Sequence, residues 1–428
     1  MRPNALMVVG SLFALLALSS PARADTVVVT AARMVDVEAG RTLDDPVVVI
    51  TDGRIAAIST RGQPRPDIPP DARQLDFAGK TILPGLIDMH VHLTHNPRFG
   101  GYTRLQFTDS FWIAQGVGNA AAMLRAGFTT VRSLGSQNFA DVGYKQAIEA
   151  GLMIGPRIVP AAHSIGATGG HCDSTYLPPS FNHKNRGVGD GPQELRALVR
   201  EQRKYGAEII KICATGGVFS RNTEPGQQQL SEEEMRAVVD EAHRWGLKVA
   251  AHAHGAAGIK AAIRAGVDTI EHASLIDDEG IALAKAHGTW LSMDIFNTEY
   301  TQAAGARNGV LPDNLRKDRE VGQIQRENFR KAHQAGVRIV FGTDAGIMPH
   351  GTAAGQFGYM VEYGMTPMEA LRAATWNAAE ALGRSRDVGA IAVGRFGDLV
   401  VVDGDPTVDV EVLTRITAVV KGGDLVEP

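Results

Sequence analysis

The chain has 428 residues, 44% of them hydrophobic and 21% charged, with 48 Gly, 20 Pro and only 2 Cys. That composition rules out a disulfide-stapled miniprotein, a collagen-like repeat and a disordered polymer, and it leaves room for one large barrel or two domains with real cores. With 43 Lys+Arg against 47 Asp+Glu, a formal net charge of -4, nothing recommends nucleic acid as a partner.

At the start, Arg2 precedes an apolar run from Ala5 to Leu18 that is broken only by Gly10 and Ser11. Ser19, Ser20 and Pro21 then lead into the small-x-small triplet Ala22-Arg23-Ala24 before Asp25. This is the layout of a cleavable signal peptide, and its apolar part is shorter than the roughly 20 residues that span a bilayer. Residues 1–24 are therefore expected to be a leader, and the mature chain to be periplasmic or secreted, without membrane contact. No Cys follows the cut, so a lipid anchor is not indicated, and loss of Arg2 and Arg23 makes the mature chain more acidic.

Residues 26–60 then read as short β-rich pieces separated by turns such as Thr51-Asp52-Gly53-Arg54. From about residue 82 the pattern changes to apolar runs, each followed by a polar loop and a helical pattern. The predicted strands are 82–92, 129–134, 157–164, 208–214, 248–254, 269–273, 289–294 and 338–344. Predicted helices lie at 193–205, 231–245, 256–265, 315–335 and 367–382. Ser231 with Glu234 forms a capping box, and Thr366 is followed by Pro367 at the first helical position. Eight strand–helix repeats imply an α/β chain folded as a (β/α)8, TIM-type barrel. Residues 391–426 turn β-rich again, with strands at 398–402 and 416–421 and a Gly422-Gly423 turn. The two β-rich ends are expected to pack as one small β-sandwich. The resulting division is leader 1–24, sandwich 25–81 and 390–428, and barrel 82–389.

The histidines single out one end of that barrel. His90 and His92 stand two apart at the end of the first strand, so period-two alternation points both into the interior. The fifth strand ends with His252, the sixth with His272, the eighth with Asp344, and the fourth carries Lys211. Side chains at the C-terminal ends of barrel strands line one mouth, where catalysis sits. This N/O donor set suits zinc or a similar divalent ion. The bland reading, satisfied core histidines, needs chance to place a His or Asp at the ends of four separate strands. Lys211 in an apolar strand is costly to bury charged, so it must be paired, neutralised or modified. A salt bridge to a nearby acid such as Asp344 would serve. So would addition of carbon dioxide to the neutral amine, giving a carbamate with two oxygens able to bridge two metals.

The run Leu83-Pro84-Gly85-Leu86-Ile87-Asp88-Met89-His90-Val91-His92 resembles the opening signature of the amidohydrolase superfamily. The resemblance extends over the mature chain, through Thr375-Trp376-Asn377-Ala378-Ala379 to Gly394-Arg395-Phe396-Gly397-Asp398-Leu399-Val400. Thr168-Gly169-Gly170-His171, Ala214-Thr215-Gly216-Gly217-Val218 and Lys211 are similar to the imidazolonepropionase-like metallopeptidase branch. That branch holds Xaa-Pro dipeptidases, carboxypeptidases and ochratoxin-hydrolysing amidases.

The resemblance implies two divalent metal ions, zinc foremost. His90, His92 and Asp344 would hold one and His252 and His272 the other, with N-carboxylated Lys211 bridging. It further implies hydrolysis of a small dipeptide or N-acyl amino-acid amide, with Asp344 moving the proton, and a homo-oligomeric assembly. A cyclic-amide hydrolase of the imidazolonepropionase or dihydropyrimidinase type is the alternative on the same scaffold. His163, ending the third strand, faces the same mouth and is a candidate for steadying the tetrahedral intermediate. His171 and Arg221, in loops at that mouth, are candidates for the substrate carboxylate. His254 could replace His252 as ligand and is otherwise a pocket residue. The other histidines read as surface or packing residues. Cys172 and Cys213 both lie near the mouth; export permits a disulfide, but their spacing does not require one, and buried free thiols are expected.

Overall fold

The structure is a computed structural model that describes residues 25–426, so the expected leader at 1–24 lies outside the described residues. Eight parallel strands form the barrel: β1 (Leu86–Val91), β2 (Phe128–Ser133), β3 (Arg157–Pro160), β4 (Ile209–Cys213), β5 (Lys248–Gly255), β6 (Thr269–Leu275), β7 (Trp290–Ser292) and β8 (Ile339–Val340). Ladders join β1 to β3 and β4 to β8 as two arcs. Backbone bonds beyond the strand ends close them. The Ile165 N–H donates to the Lys211 carbonyl at 2.8 Å on one side, and the His92 N–H to the Ala345 carbonyl at 2.8 Å on the other. Every residue of β1, β2 and β4 is buried, as expected of parallel strands covered on both faces.

Helices surround this barrel, and their starts follow the local chemistry. Ser231 caps the Glu232–Arg244 helix and Thr366 caps the Pro367–Ala373 helix, each in a reciprocal box with the glutamate three residues on. The helix expected over 367–382 is two, Pro367–Ala373 and Trp376–Leu382. At the break the Thr375 hydroxyl donates to the Leu371 carbonyl at 2.6 Å, a back-bond that competes with the helical ladder. No helix among the described residues is long and apolar enough to cross a membrane.

The two chain ends meet, as the sequence led us to expect. Strand Leu399–Val402 pairs antiparallel with Arg73–Pro84, and the Arg73–Pro84 strand pairs in turn with Thr26–Asp36, within one eight-stranded mixed sheet. Its core is apolar, with Val29, Ile50, Ile55, Ile82, Leu399 and Val401 buried together. The strand expected over 82–92 divides at Gly85. Ile82, Leu83 and Pro84 belong to the terminal sheet, and the barrel begins at Leu86. A Cβ at position 85 would lie 2.0 Å from the Thr129 hydroxyl, so the chain passes this close to β2 only as glycine. Arg157 at the start of β3 ties the two units together. Its guanidinium donates twice to Asp398, each at 3.1 Å, and lies 3.5 Å from the Phe396 ring centroid.

Candidate metal centre

At the C-terminal mouth the strand ends bring His90, His92, Lys211, His252, His254, His272 and Asp344 to one cavity. Alternation along β1 turns both of its histidines inward, and the same period in β5 puts His252 and His254 on one face. His272 and Asp344 are aimed differently, by left-handed backbone at φ 69° and 56°. Two three-residue groups hold donor atoms within 4.8 Å of one another: His90, His272 and Asp344, and His252, His254 and His272. Asp344 Oδ1 lies 3.2 Å from His92 Nε2 and 3.6 Å from His90 Nε2. Lys211 Nζ lies 3.4 Å from His90 Nε2 and makes no ion pair with Asp344 among the described residues. The salt-bridge account of Lys211 therefore finds no partner in Asp344.

These donors fit a cation. Asp344 Oδ1 is buried without a hydrogen bond although two imidazole nitrogens face it. A buried, unsatisfied carboxylate oxygen facing imidazole nitrogens is an arrangement a divalent ion would satisfy.

Outer partners fix several of the rings. His92 Nδ1 lies 3.2 Å from the Gly135 carbonyl, His254 Nδ1 2.8 Å from the Ser274 hydroxyl, and His272 Nδ1 3.0 Å from Asp294. Each contact leaves Nε2 for the cavity, the arrangement expected of metal-binding imidazoles. Gln325 and Asn297 donate to Asp294 at 2.7 and 2.5 Å and hold it in place. His252 differs: its Nε2 lies 3.2 Å from the Gly216 carbonyl, and its ring stacks on His171 at 4.1 Å.

Burial sets the protonation of the cluster. It pulls the His90 imidazole down to about 4, with the nearby Lys211 charge adding to the effect. Burial also brings Lys211 down to about 8, which opens its neutral form near ordinary pH. Burial alone would raise Asp344, but His90 and His92 outweigh it and hold the carboxyl well below its ordinary range. For His272 burial acts downward, and Asp294 overcomes it to leave the imidazole raised.

Four functional groups escaped the sequence reading. Glu271 Oε2 lies 3.2 Å from His90 Nδ1, while Oε1 takes a 2.7 Å bond from Arg132, and both side chains are fully buried. Arg132 also donates to the Met89 carbonyl at 2.5 Å and to the Thr269 hydroxyl at 3.0 Å. Asp88 accepts from the backbone of His90 and Thr343 and from the Thr343 hydroxyl, and this fastens β1 beside Asp344. Asp294 makes up the fourth. The signal was present: each is a charged residue in an apolar strand or at its end, the same argument that singled out Lys211.

The remaining candidates divide. His163 lines the cavity, half-buried, with its Nε2 free of hydrogen bonds and its imidazole lowered by burial and by Arg186. His171 also lines it, with Nδ1 3.1 Å from the Ser220 hydroxyl, and burial lowers its pKa to about 3. Arg221 is exposed outside the cavity, and its guanidinium donates to the Tyr102 hydroxyl at 2.5 Å. The expectation of free thiols is overturned, because Cys172 and Cys213 form a disulfide. The loop after β3 folds back over the end of β4, bringing their Cα atoms to 5.9 Å, within disulfide range.

The Amidohydrolase family profile matches residues 81–426. Ochratoxinase of Aspergillus niger is 31% identical over 419 residues, covering 90% of this chain and 84% of the ochratoxinase. The solved structure of a Xaa-Pro dipeptidase with methionine bound in its active site is 34% identical at a TM-score of 0.86, over 94% of this chain and 100% of that one. A prolidase complexed with N-methylphosphonate-L-proline is 35% identical at a TM-score of 0.86, over 94% and 99% of the two chains.

Proposed function

The chain belongs to the amidohydrolase family and is a metal-dependent hydrolase of C–N bonds; from that premise we propose an exported, binuclear amidase that cleaves dipeptides or N-acyl amino acids. The observation that carries the reading is the buried gathering of imidazoles around Asp344 and Lys211, with a carboxylate oxygen left unsatisfied among them.

His90, His92 and Asp344 would hold one ion. His272, with His252 or His254, would hold the second, and Lys211 as a carbamate would bridge. Bound there, two divalent ions, zinc by the donor set, lower the pKa of water and polarise an amide carbonyl. Asp344 starts ionised, takes a proton from the attacking water and delivers it to the departing amine nitrogen. His163 lines the same cavity, and its Nε2, buried and without a partner, would have to turn toward the cavity to meet the carbonyl oxygen as negative charge develops there. Glu271 Oε2, 3.2 Å from His90 Nδ1, is placed to orient that ring once the imidazole turns to donate, and Arg132 keeps Glu271 ionised against its burial.

Amino-acid-sized ligands in two related structures, methionine and a proline phosphonate, support amides of amino acids as the substrate class. The signal-peptide layout and the Cys172–Cys213 pair both agree with an oxidising compartment outside the cytosol. The test is amine release from a panel of Xaa-Pro, Xaa-Phe and Xaa-Arg dipeptides and N-acyl amino acids, run beside cyclic amides. Turnover of the linear amides is expected. Turnover of cyclic amides alone would replace this reading with the cyclic-amidase one.

A further inference from the structure

A second pocket opens beside the mouth. Phe99, Trp112, Tyr176, Phe219 and Tyr300 line it, and it shares a wall with the catalytic cavity at Arg104, His95, Tyr176 and Phe219. His95 marks how near the two are, since its ring stacks on that of the candidate ligand His92 at 4.9 Å. Five aromatic rings in one concave wall suit a large apolar or aromatic side chain.

Arg104 is the unusual member. It is half-buried, with no salt bridge and no hydrogen bond to any described residue, and its nearest ring contact is Trp112 at 5.9 Å. Loss of water lowers its guanidinium below the ordinary value, and only the Tyr176 phenol pulls the other way. Other arginines near the mouth are spoken for: Arg186 is on Glu201, Arg316 on Asp313 and Glu224, and Arg221 on Tyr102. A partly desolvated guanidinium without a counter-charge is costly, and a carboxylate in the fork of its N–H donors removes that cost.

The geometry points to Arg104 as the residue that binds the substrate's free carboxylate, with the adjoining aromatic pocket taking the side chain of that same residue. The preferred substrate is then an amide whose departing amine is an aromatic or large apolar amino acid with a free C-terminus. This rests on the amidase reading, and it shifts the specificity role from Arg221, named from the sequence, to Arg104. Carboxylate and side chain leave the same Cα, so a guanidinium beside an aromatic wall reads both at once.

Two measurements on the metal-loaded protein test it. Calorimetric titration with L-phenylalanine, L-alanine and L-phenylalaninamide should rank L-phenylalanine at least tenfold tighter than either of the others. Arg104→Ala should weaken L-phenylalanine by about 10- to 100-fold, the loss of a charged hydrogen-bonded contact, and abolish its preference over the amide, while Arg104→Lys recovers part of it. Kinetics with Ala-Phe, Ala-Ala and Ala-Phe-amide should show the same loss in KM, with kcat changed less. An Arg104→Ala protein that still prefers acid over amide, or a wild type that does not distinguish phenylalanine from alanine, overturns the assignment. Selective binding without hydrolysis of any linear amide would keep the pocket and remove the amidase reading.

Discussion

The terminal sheet and the barrel mouth are built by opposite rules. In the sheet, inward positions are apolar, and the non-glycine residues with left-handed backbone, Asp45 and Asp52, stand in turns where such residues are at home. At the mouth, left-handed backbone falls on Ala162, His272, Ala273 and Asp344, at the ends of strands β3, β6 and β8. Such conformations cost about 1–3 kcal/mol each and persist only where surrounding structure imposes them. Here it does: Asp141 holds the Ala162 N–H at 3.0 Å, and the Asp344 N–H donates to the His90 carbonyl at 2.8 Å. The sheet spends its sequence on stability. The mouth keeps buried charge and strain so that ligands converge.

That contrast predicts mutations that separate activity from stability. The largest effect belongs to Asp344→Asn. Asparagine tolerates the left-handed backbone, so the fold should stand, with an unfolding midpoint equal to or above wild type, while kcat falls about 10²- to 10⁴-fold. Loss of fold together with activity would erase the distinction.

Glu271→Gln should break it in the other direction. The change leaves Arg132 buried without its counter-charge, so denaturant unfolding should show a loss of about 3–5 kcal/mol along with reduced activity. In the sheet, Ile82→Ala removes a fully buried side chain far in sequence from any ligand except β1. We expect a loss of about 2–5 kcal/mol with kcat/KM unchanged at a temperature where the variant stays folded.

The Cys172–Cys213 bridge spans 41 residues, so the double serine variant should be about 3–4 kcal/mol less stable under non-reducing conditions, and reductant should bring wild type down to match. The smallest effect is a pH dependence behind the mouth. Burial pushes the Asp141 carboxyl up from 3.8 to about 6, so the folded chain holds its proton more tightly than the unfolded chain does. The stability this gives is complete below pH 3.8 and is lost as pH rises through about 6. Asp141→Asn gives up one of the two backbone N–H bonds that Asp141 accepts, at every pH, but its stability relative to wild type should improve by about 2–3 kcal/mol from about pH 4 to pH 7, measured by urea unfolding at each pH.

The sequence was most readable where one rule acts alone. Alternation placed His90 and His92 on one face, the Ser231–Glu234 capping box formed as read, and the two β-rich ends joined one sheet as expected. It was least readable where distant segments decide. The break at Gly85 depends on contact with Thr129, and the disulfide depends on a loop folding back over β4. Glu271 and Arg132 pair across the barrel interior, so neither looks functional until the other is seen. Arg104 sits in a short 3-10 turn with no periodic signature, and only the shared wall of two pockets gives it a role.

The central claim is that this mouth is a two-metal amidase centre. It is tested most directly by measuring metal content and dipeptide hydrolysis on one preparation through chelation and stepwise reloading. The account predicts activity that vanishes on stripping and returns as bound divalent metal approaches two ions per chain. Full activity in metal-free protein would contradict it.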